Sequence, residues 1–257
     1  MSIRQIAIID VGSGNLYSVE KAVHHVAEDD EAVFLCEEAS QLTLATHIIL
    51  PGVGAFADCM KGLMACDGLR EMLERRVLED KVPFLGICVG MQMLFERGHE
   101  HGVHEGLGWL KGEVVPLAPN EKRVGSEVSR PSEPSASDLS SEALAKEEAS
   151  RHVSDSSRDS GRNQNNLKIP HMGWNDLQIE MPHPLLEGVE NGDHAYFVHS
   201  YHCVPEQPIT ALSVDYGGKV VAAVAKDNLF ATQFHPEKSQ KTGLRILKNF
   251  IEQPHAR

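Results

Sequence analysis

The sequence predicts an α/β fold: a doubly wound, mostly parallel sheet with helices on both faces and extra antiparallel strands in the C-terminal half. Three observations carry this. Short apolar runs alternate with longer stretches of helical period through the first hundred residues, the rhythm of strand–helix–strand units. The early runs end on Asp-Val-Gly or Pro-Gly, where a buried strand passes into a loop at the carboxyl edge of a sheet. Beyond Ala195 the apolar runs crowd together with no helical stretch between them.

Taken in order, Gln5 to Asp10 reads as the first strand, and Asn15 to Ala27 as a helix with Leu16, Val19, Ala22, Val23 and Val26 on one face. Ala32 to Cys36 and His47 to Leu50 are the next strands, the latter stopped by Pro51-Gly52. Leu69, Met72, Leu73, Arg76 and Val77 trace a helical stripe within Gly68 to Asp80. Pro83 to Ile87 is again a strand, and the MQMLFER run, 91–97, is expected to be a helix. In the second half, Ala195 to His199, Ile209 to Asp215, Val220 to Ala225 and Leu229 to Gln233 are expected strands supplying the end of the sheet. Gly217-Gly218 joins two of them as a tight hairpin, and Lys238 to Glu252 closes the chain as a helix.

Between these halves the composition changes. Residues 129–163 hold 11 serines in 35 positions, and no aromatic residue occurs between Trp109 and Trp174. Such a stretch buries too little apolar surface to offset its ordering entropy. It is expected to be a disordered insertion, with 139–149 a transient helix, inside a single domain spanning 1–257. A net charge of −13 repels phosphate backbones and anionic lipid, so nucleic acid and membrane are not expected as partners. No apolar run approaches the ~18 residues that span a bilayer. The start reads as a buried strand rather than a targeting segment. Five cysteines without a CxxC pair point to reduced thiols in a cytoplasmic setting rather than a disulfide or zinc scaffold.

Chemistry concentrates in three places. Gly86-Ile87-Cys88-Val89-Gly90 has the G-x-C-x-G form of a nucleophile elbow, with small neighbours for a tight turn and the sulfur expected in solvent at a helix N-terminus. His235-Pro236-Glu237 follows the last strand, so His235 can serve as base and Glu237 can orient it. Pro51-Gly52-Val53-Gly54 ends the third strand. Its backbone N–H groups, with that of Val89, could hold an oxyanion, although such a loop is equally an ordinary turn. His99, His101 and His104 form an irregular cluster in which no metal is expected. These residues alone leave open a cysteine peptidase, a γ-glutamyl hydrolase or a non-catalytic binding protein.

Together PGVGAF, GICVGMQ and QFHPEKS resemble the class I, or triad, glutamine amidotransferases. Within that class, DVGSGNL at 10–16, PHMGWN at 170–175 and YFVHSY at 196–201 resemble the glutaminase subunits of imidazole glycerol phosphate synthase. The resemblance covers nearly all of the chain outside 129–163. It implies hydrolysis of glutamine to glutamate and ammonia without a cofactor or metal. The ammonia would pass to a separate cyclase subunit with a (β/α)8 barrel, in histidine biosynthesis. It further implies that Gln92 contacts the substrate's α-substituents and that Ser200 and Tyr201 border the pocket. Asn15, Trp174, Tyr196 and Lys238 would face the cyclase. Two departures stand out: the Ser-rich insertion, and Val89 where leucine is more usual.

Overall fold

The computed structural model describes residues 3–12, 16–27, 31–118 and 167–254. The expected insertion at 129–163, its helical portion and Asn15 lie outside these residues. The N-terminal part runs β1 (Gln5–Ile9), α1 (Leu16–Val26), β2 (Ala32–Cys36), β3 (His47–Gly52), α2 (Phe56–Ala65), α3 (Leu69–Glu74), β4 (Phe84–Cys88) and α4 (Val89–Gln92). There follow β5 (Phe95–Gly98), β6 (His104–Glu105) and β7 (Leu110–Pro116). After the undescribed stretch come β8 (His171–Asp176), β9 (Gln178–Ile179), β10 (His194–His199), β11 (Tyr201–Pro205), β12 (Thr210–Asp215), β13 (Lys219–Lys226), β14 (Leu229–Thr232) and α5 (Gln240–Ile251).

The main sheet has the order β2-β1-β3-β4-β14-β13-β12-β9. Its first five strands are parallel, and the antiparallel β13, β12 and β9 extend it. This is the predicted class. Ile6, Ile8, Ile48, Ile49, Leu50, Phe84 and Leu85 are fully buried, as expected of strands covered on both sides. α1 packs with α5, while α2 packs with α3 and α4. Right-handed crossovers place these groups on opposite faces, because the chain leaves β1 in one direction to reach β2 and in the other to reach β3 and β4. Ligand crevices form where such sheets reverse direction, at the carboxyl ends of their strands.

Three expectations are corrected. The helix expected at 91–97 is a single turn ending at Gln92, and Phe95–Gly98 is a strand. Met91, Met93, Leu94 and Phe95 are all fully buried, so their apolar run suits either structure. Long-range bonds from Leu107 N to Met93 O (2.7 Å) and from Leu110 N to Leu94 O (2.9 Å) pull the backbone into a second sheet, ordered β11-β7-β5-β6. The run at 195–199 does form a strand, but it pairs with β8 in a separate two-stranded ribbon rather than joining the main sheet. Finally, α5 begins at Gln240, because Pro236–Lys238 forms a 3-10 turn first.

Candidate active site

β3, β4 and β14 lie side by side, and their carboxyl ends assemble the site. Gly52 is level with Cys88 across β3 and β4, and Ile87 is level with Thr232 across β4 and β14. Cys88 adopts φ 55° and ψ −111°, a region that costs an L-residue about 1–3 kcal/mol and that surrounding structure must enforce. Close backbone packing enforces it here. A Cβ on Gly90 would run into the carbonyl oxygen of Leu50, and one on Gly52 would lie 2.7 Å from the nitrogen of Gly90. The elbow and β3 therefore meet backbone to backbone.

The expected exposure of the sulfur is not found: Cys88 is 4% exposed. The Cys59 and Cys203 thiols are near enough to interact electrostatically with it. Nor does a long helix dipole lie behind it, since α4 is one turn. Its setting is made by local partners instead.

His235 is the first of these. It directly follows β14 and Phe234, and its Nδ1 is 2.7 Å from Glu237 Oε1. Both side chains are almost wholly buried. With Nδ1 committed to the carboxylate, the opposite ring nitrogen is buried and makes no well-directed hydrogen bond, while the Cys88 sulfur lies near enough to act on the ring's charge. Burial alone would pull His235 down, but the Cys88 sulfur and then Glu237 outweigh it and push the imidazole up to about 10. An imidazolium held between thiolate and carboxylate can favour a nucleophilic sulfur and supply a proton to a leaving group.

The remaining predicted residues take up distinct positions. Val89 opens α4 beside Cys88 and is buried, whereas Val53 and Gly54 are exposed on the loop beyond β3. Gln92 is buried and donates through Nε2 to the carbonyl of Tyr201 (3.2 Å) and to Gln233 Oε1 (3.1 Å). Ser200 and Tyr201 lie where β10 passes into β11, both half-buried. Trp174 and Tyr196 face each other across the ribbon, rings 5.9 Å apart. Trp174 and Lys238 are exposed, so a core role for Trp174 is excluded. His99 pairs with Glu113 at 2.9 Å. Among the described residues no group of three or more His, Cys, Asp or Glu is placed to hold a metal.

Three residues were missed. Gln233 donates from Nε2 to Cys88 Sγ at 3.7 Å. Ser239 accepts from the backbone N–H of Tyr196 (3.0 Å) and donates to the His235 carbonyl (2.7 Å). It thereby ties the ribbon to the His235–Glu237 turn, as does the bond from His235 N to Tyr196 O at 3.0 Å. Glu100 accepts from Phe56 N at the start of α2 (2.7 Å). Its charge also reaches Tyr201, whose hydroxyl is raised by burial first and by Glu100 second. Gln233 and Ser239 lie within the recognisable QFHPEKS run. Nothing local marks Glu100, because its partners are 44 and 101 residues away.

A buried Cys–His–Glu set on a strand–turn–helix elbow, at the carboxyl edge of a mostly parallel sheet, is the arrangement that the resemblance to the triad amidotransferases leads one to expect. The chain belongs to the class-I glutamine amidotransferase family, which it matches over residues 7–253, and within it to the family of the imidazole glycerol phosphate synthase subunit HisH. It is 41% identical to that subunit from Cereibacter sphaeroides, over 95% of this chain and 96% of the relative. It is likewise 41% identical to that from Rhodospirillum rubrum, over 96% and 98%. Among solved structures, a glutamine amidotransferase superposes with TM-score 0.61 at 15% identity, covering 96% of this chain and 97% of the other. PurLQS from Thermotoga maritima gives 0.58 at 15% identity, covering 98% of each. These last two share the fold.

Proposed function

We infer that this chain is the glutaminase subunit of an imidazole glycerol phosphate synthase and that Cys88, His235 and Glu237 carry its chemistry. The observation that supports this most is the His235–Glu237 contact of 2.7 Å beside a sulfur held on a strained elbow. The Cys88 sulfur attacks the side-chain amide carbon of glutamine, and the backbone N–H groups of Val89 and the Gly52–Gly54 loop receive the oxyanion. His235 gives its proton to the nitrogen, ammonia leaves, and a glutamyl thioester remains. Neutral His235 then takes a proton from water, hydroxide attacks the thioester, and glutamate departs as thiolate and imidazolium are restored. Glu237 keeps the ring oriented. Gln92, Ser200 and Tyr201 border the substrate, and Glu100 offers a carboxylate to its α-ammonium group.

The ammonia is consumed by a separate cyclase subunit built on a (β/α)8 barrel, yielding imidazole glycerol phosphate and aminoimidazole carboxamide ribotide in histidine biosynthesis. The ribbon is the docking face we favour, with Asn15 and Lys238 contributing. Met172, Trp174 and Ile169 are each about half exposed there (52%, 46% and 51%), an apolar set suited to a partner. Because ammonia released without a consumer is wasted, partner and nucleotide binding complete the oxyanion hole by rotating a peptide in the 51–54 loop. Residues 1–257 act as one amidotransferase domain carrying 129–163 as an insertion. The setting is cytoplasmic. No helix among the described residues is long and apolar enough to cross a membrane.

The test is glutamate release from glutamine by the chain alone and with the liganded cyclase, with Cys88→Ala as control. Release that rises strongly with the partner and vanishes in the variant is expected. Equal release with and without the cyclase would rule out the gating and the pathway assignment.

A further inference from the structure

The carbonyl oxygen of Tyr201 has no hydrogen to give, so every polar group touching it must donate. Gln92 meets it at 3.2 Å, which requires the amide nitrogen there and fixes the orientation of that side chain. The same nitrogen carries a second hydrogen toward Gln233, at 3.1 Å. The facing atom of Gln233 must then be its oxygen, since two amide nitrogens would repel. That leaves the Gln233 nitrogen toward Cys88 Sγ, at 3.7 Å. Both glutamines are buried, at 4% and 0% exposure.

A second chain starts from the same carbonyl. His199 Nδ1 meets it at 2.8 Å and so carries the proton, His199 Nε2 accepts from His171 Nδ1 at 3.0 Å, and His171 Nε2 accepts from Asn175 at 3.3 Å. One backbone oxygen thus sets the direction of the hydrogens along both of these chains, one ending at the sulfur and the other on the ribbon.

We propose that Gln233 is a positioning residue for the nucleophile: its side-chain N–H, oriented by the Tyr201 carbonyl through Gln92, holds the Cys88 sulfur and favours its anionic form. This rests on Cys88 being the nucleophile. The titratable groups acting around the sulfur are His235 with Glu237 behind it, Cys59 on α2 and Cys203 on β11. Burial raises both of those thiols, Cys59 to about 11, so neither supplies charge near neutrality. Gln233 is therefore the neutral donor that complements His235.

Alkylation of the full chain by iodoacetamide across pH, followed on the peptide containing Cys88, tests this. Gln233→Met keeps the length and removes the donor. It should raise the pH midpoint of reactivity by about one unit, roughly a tenfold slower reaction at pH values below the midpoint, and lower kcat with KM little changed. Gln233→Glu should shift the midpoint further. A Met variant that reacts with the unaltered midpoint overturns the proposal. Should the variants not fold, nitrogen-15 NMR of the unaltered protein decides. The Gln233 side-chain amide signal must move with the Cys88 midpoint, and a signal indifferent to it overturns the proposal equally. Turnover surviving in Cys88→Ala would instead remove the nucleophile assignment, while the alkylation midpoint would still report the Gln233 contact.

Discussion

At Cys88 the protein spends conformational strain to aim a sulfur, and the strain is measurable. Glycine adopts φ 55° freely, whereas any side chain there is strained. Cys88→Gly should accordingly be more stable than Cys88→Ala by about 1 kcal/mol in urea unfolding, the reverse of the usual order of these two residues in regular structure. Both variants should lack glutaminase activity. At His235 the sign of the pH effect follows from its partners. Its value is raised to about 10, so in the proposed mechanism the proton for the leaving nitrogen is present throughout the neutral range, and turnover should fall as pH rises through about 10. Glu237→Gln keeps a hydrogen-bonding side chain but removes a charge that helps raise the imidazole. The alkaline limb of the rate profile should move to lower pH, with kcat reduced on the order of a hundredfold or more. An unmoved limb would show that Glu237 does not tune the ring.

Among the elements, the elbow depends on β3 as much as on β4. The missing side chain at Gly90 lets α4 approach the Leu50 carbonyl, and no rotamer can relieve a Cβ placed against backbone. Gly90→Ala should therefore cost about 1–3 kcal/mol or more of unfolding free energy, and a midpoint equal to that of the unaltered protein would contradict the packing described. The ribbon of β8 and β10 has a different character. It is held to the His235–Glu237 turn through Ser239 and the Tyr196 backbone while presenting Trp174 outward. Trp174→Ala should leave the thermal midpoint nearly unchanged and weaken cyclase binding by more than about 1 kcal/mol, as read by titration calorimetry.

Across the molecule, acid should be more damaging than alkali in the mild range. His171 and His199 are buried and neutral, lowered by burial to about 4 and about 3. An unfolded chain binds protons at these two sites below about 6.5, where the native state still refuses them. Their stability contribution is complete above about pH 6.5 and is lost as pH falls toward 4, on the order of a few kcal/mol in total. His235 has the opposite sign, its contribution complete below about 6.5 and lost as pH rises through about 10, so it does not offset the acid loss. Urea midpoints should decline steadily from pH 7 to 4.5. A flat profile would mean that the two rings are protonated in the native state.

The sequence by itself determined the parallel sheet, the elbow and the His-x-Glu turn. Each is written in local terms: an apolar run ending on a turn, glycines two residues either side of a cysteine, a proline between a histidine and a glutamate. Only the tertiary structure decided that Phe95–Gly98 is a strand and that 194–199 leaves the main sheet, because the partners that pair with these backbones lie far away in the chain. It also decided that Cys88 is enclosed, and that Gln233, Ser239 and Glu100 belong to the site. Hydrogen-bond direction and burial depend on partners far away in the chain. The orientation of the Gln233 amide toward Cys88 follows from a distant carbonyl, that of Tyr201, 113 residues after the cysteine.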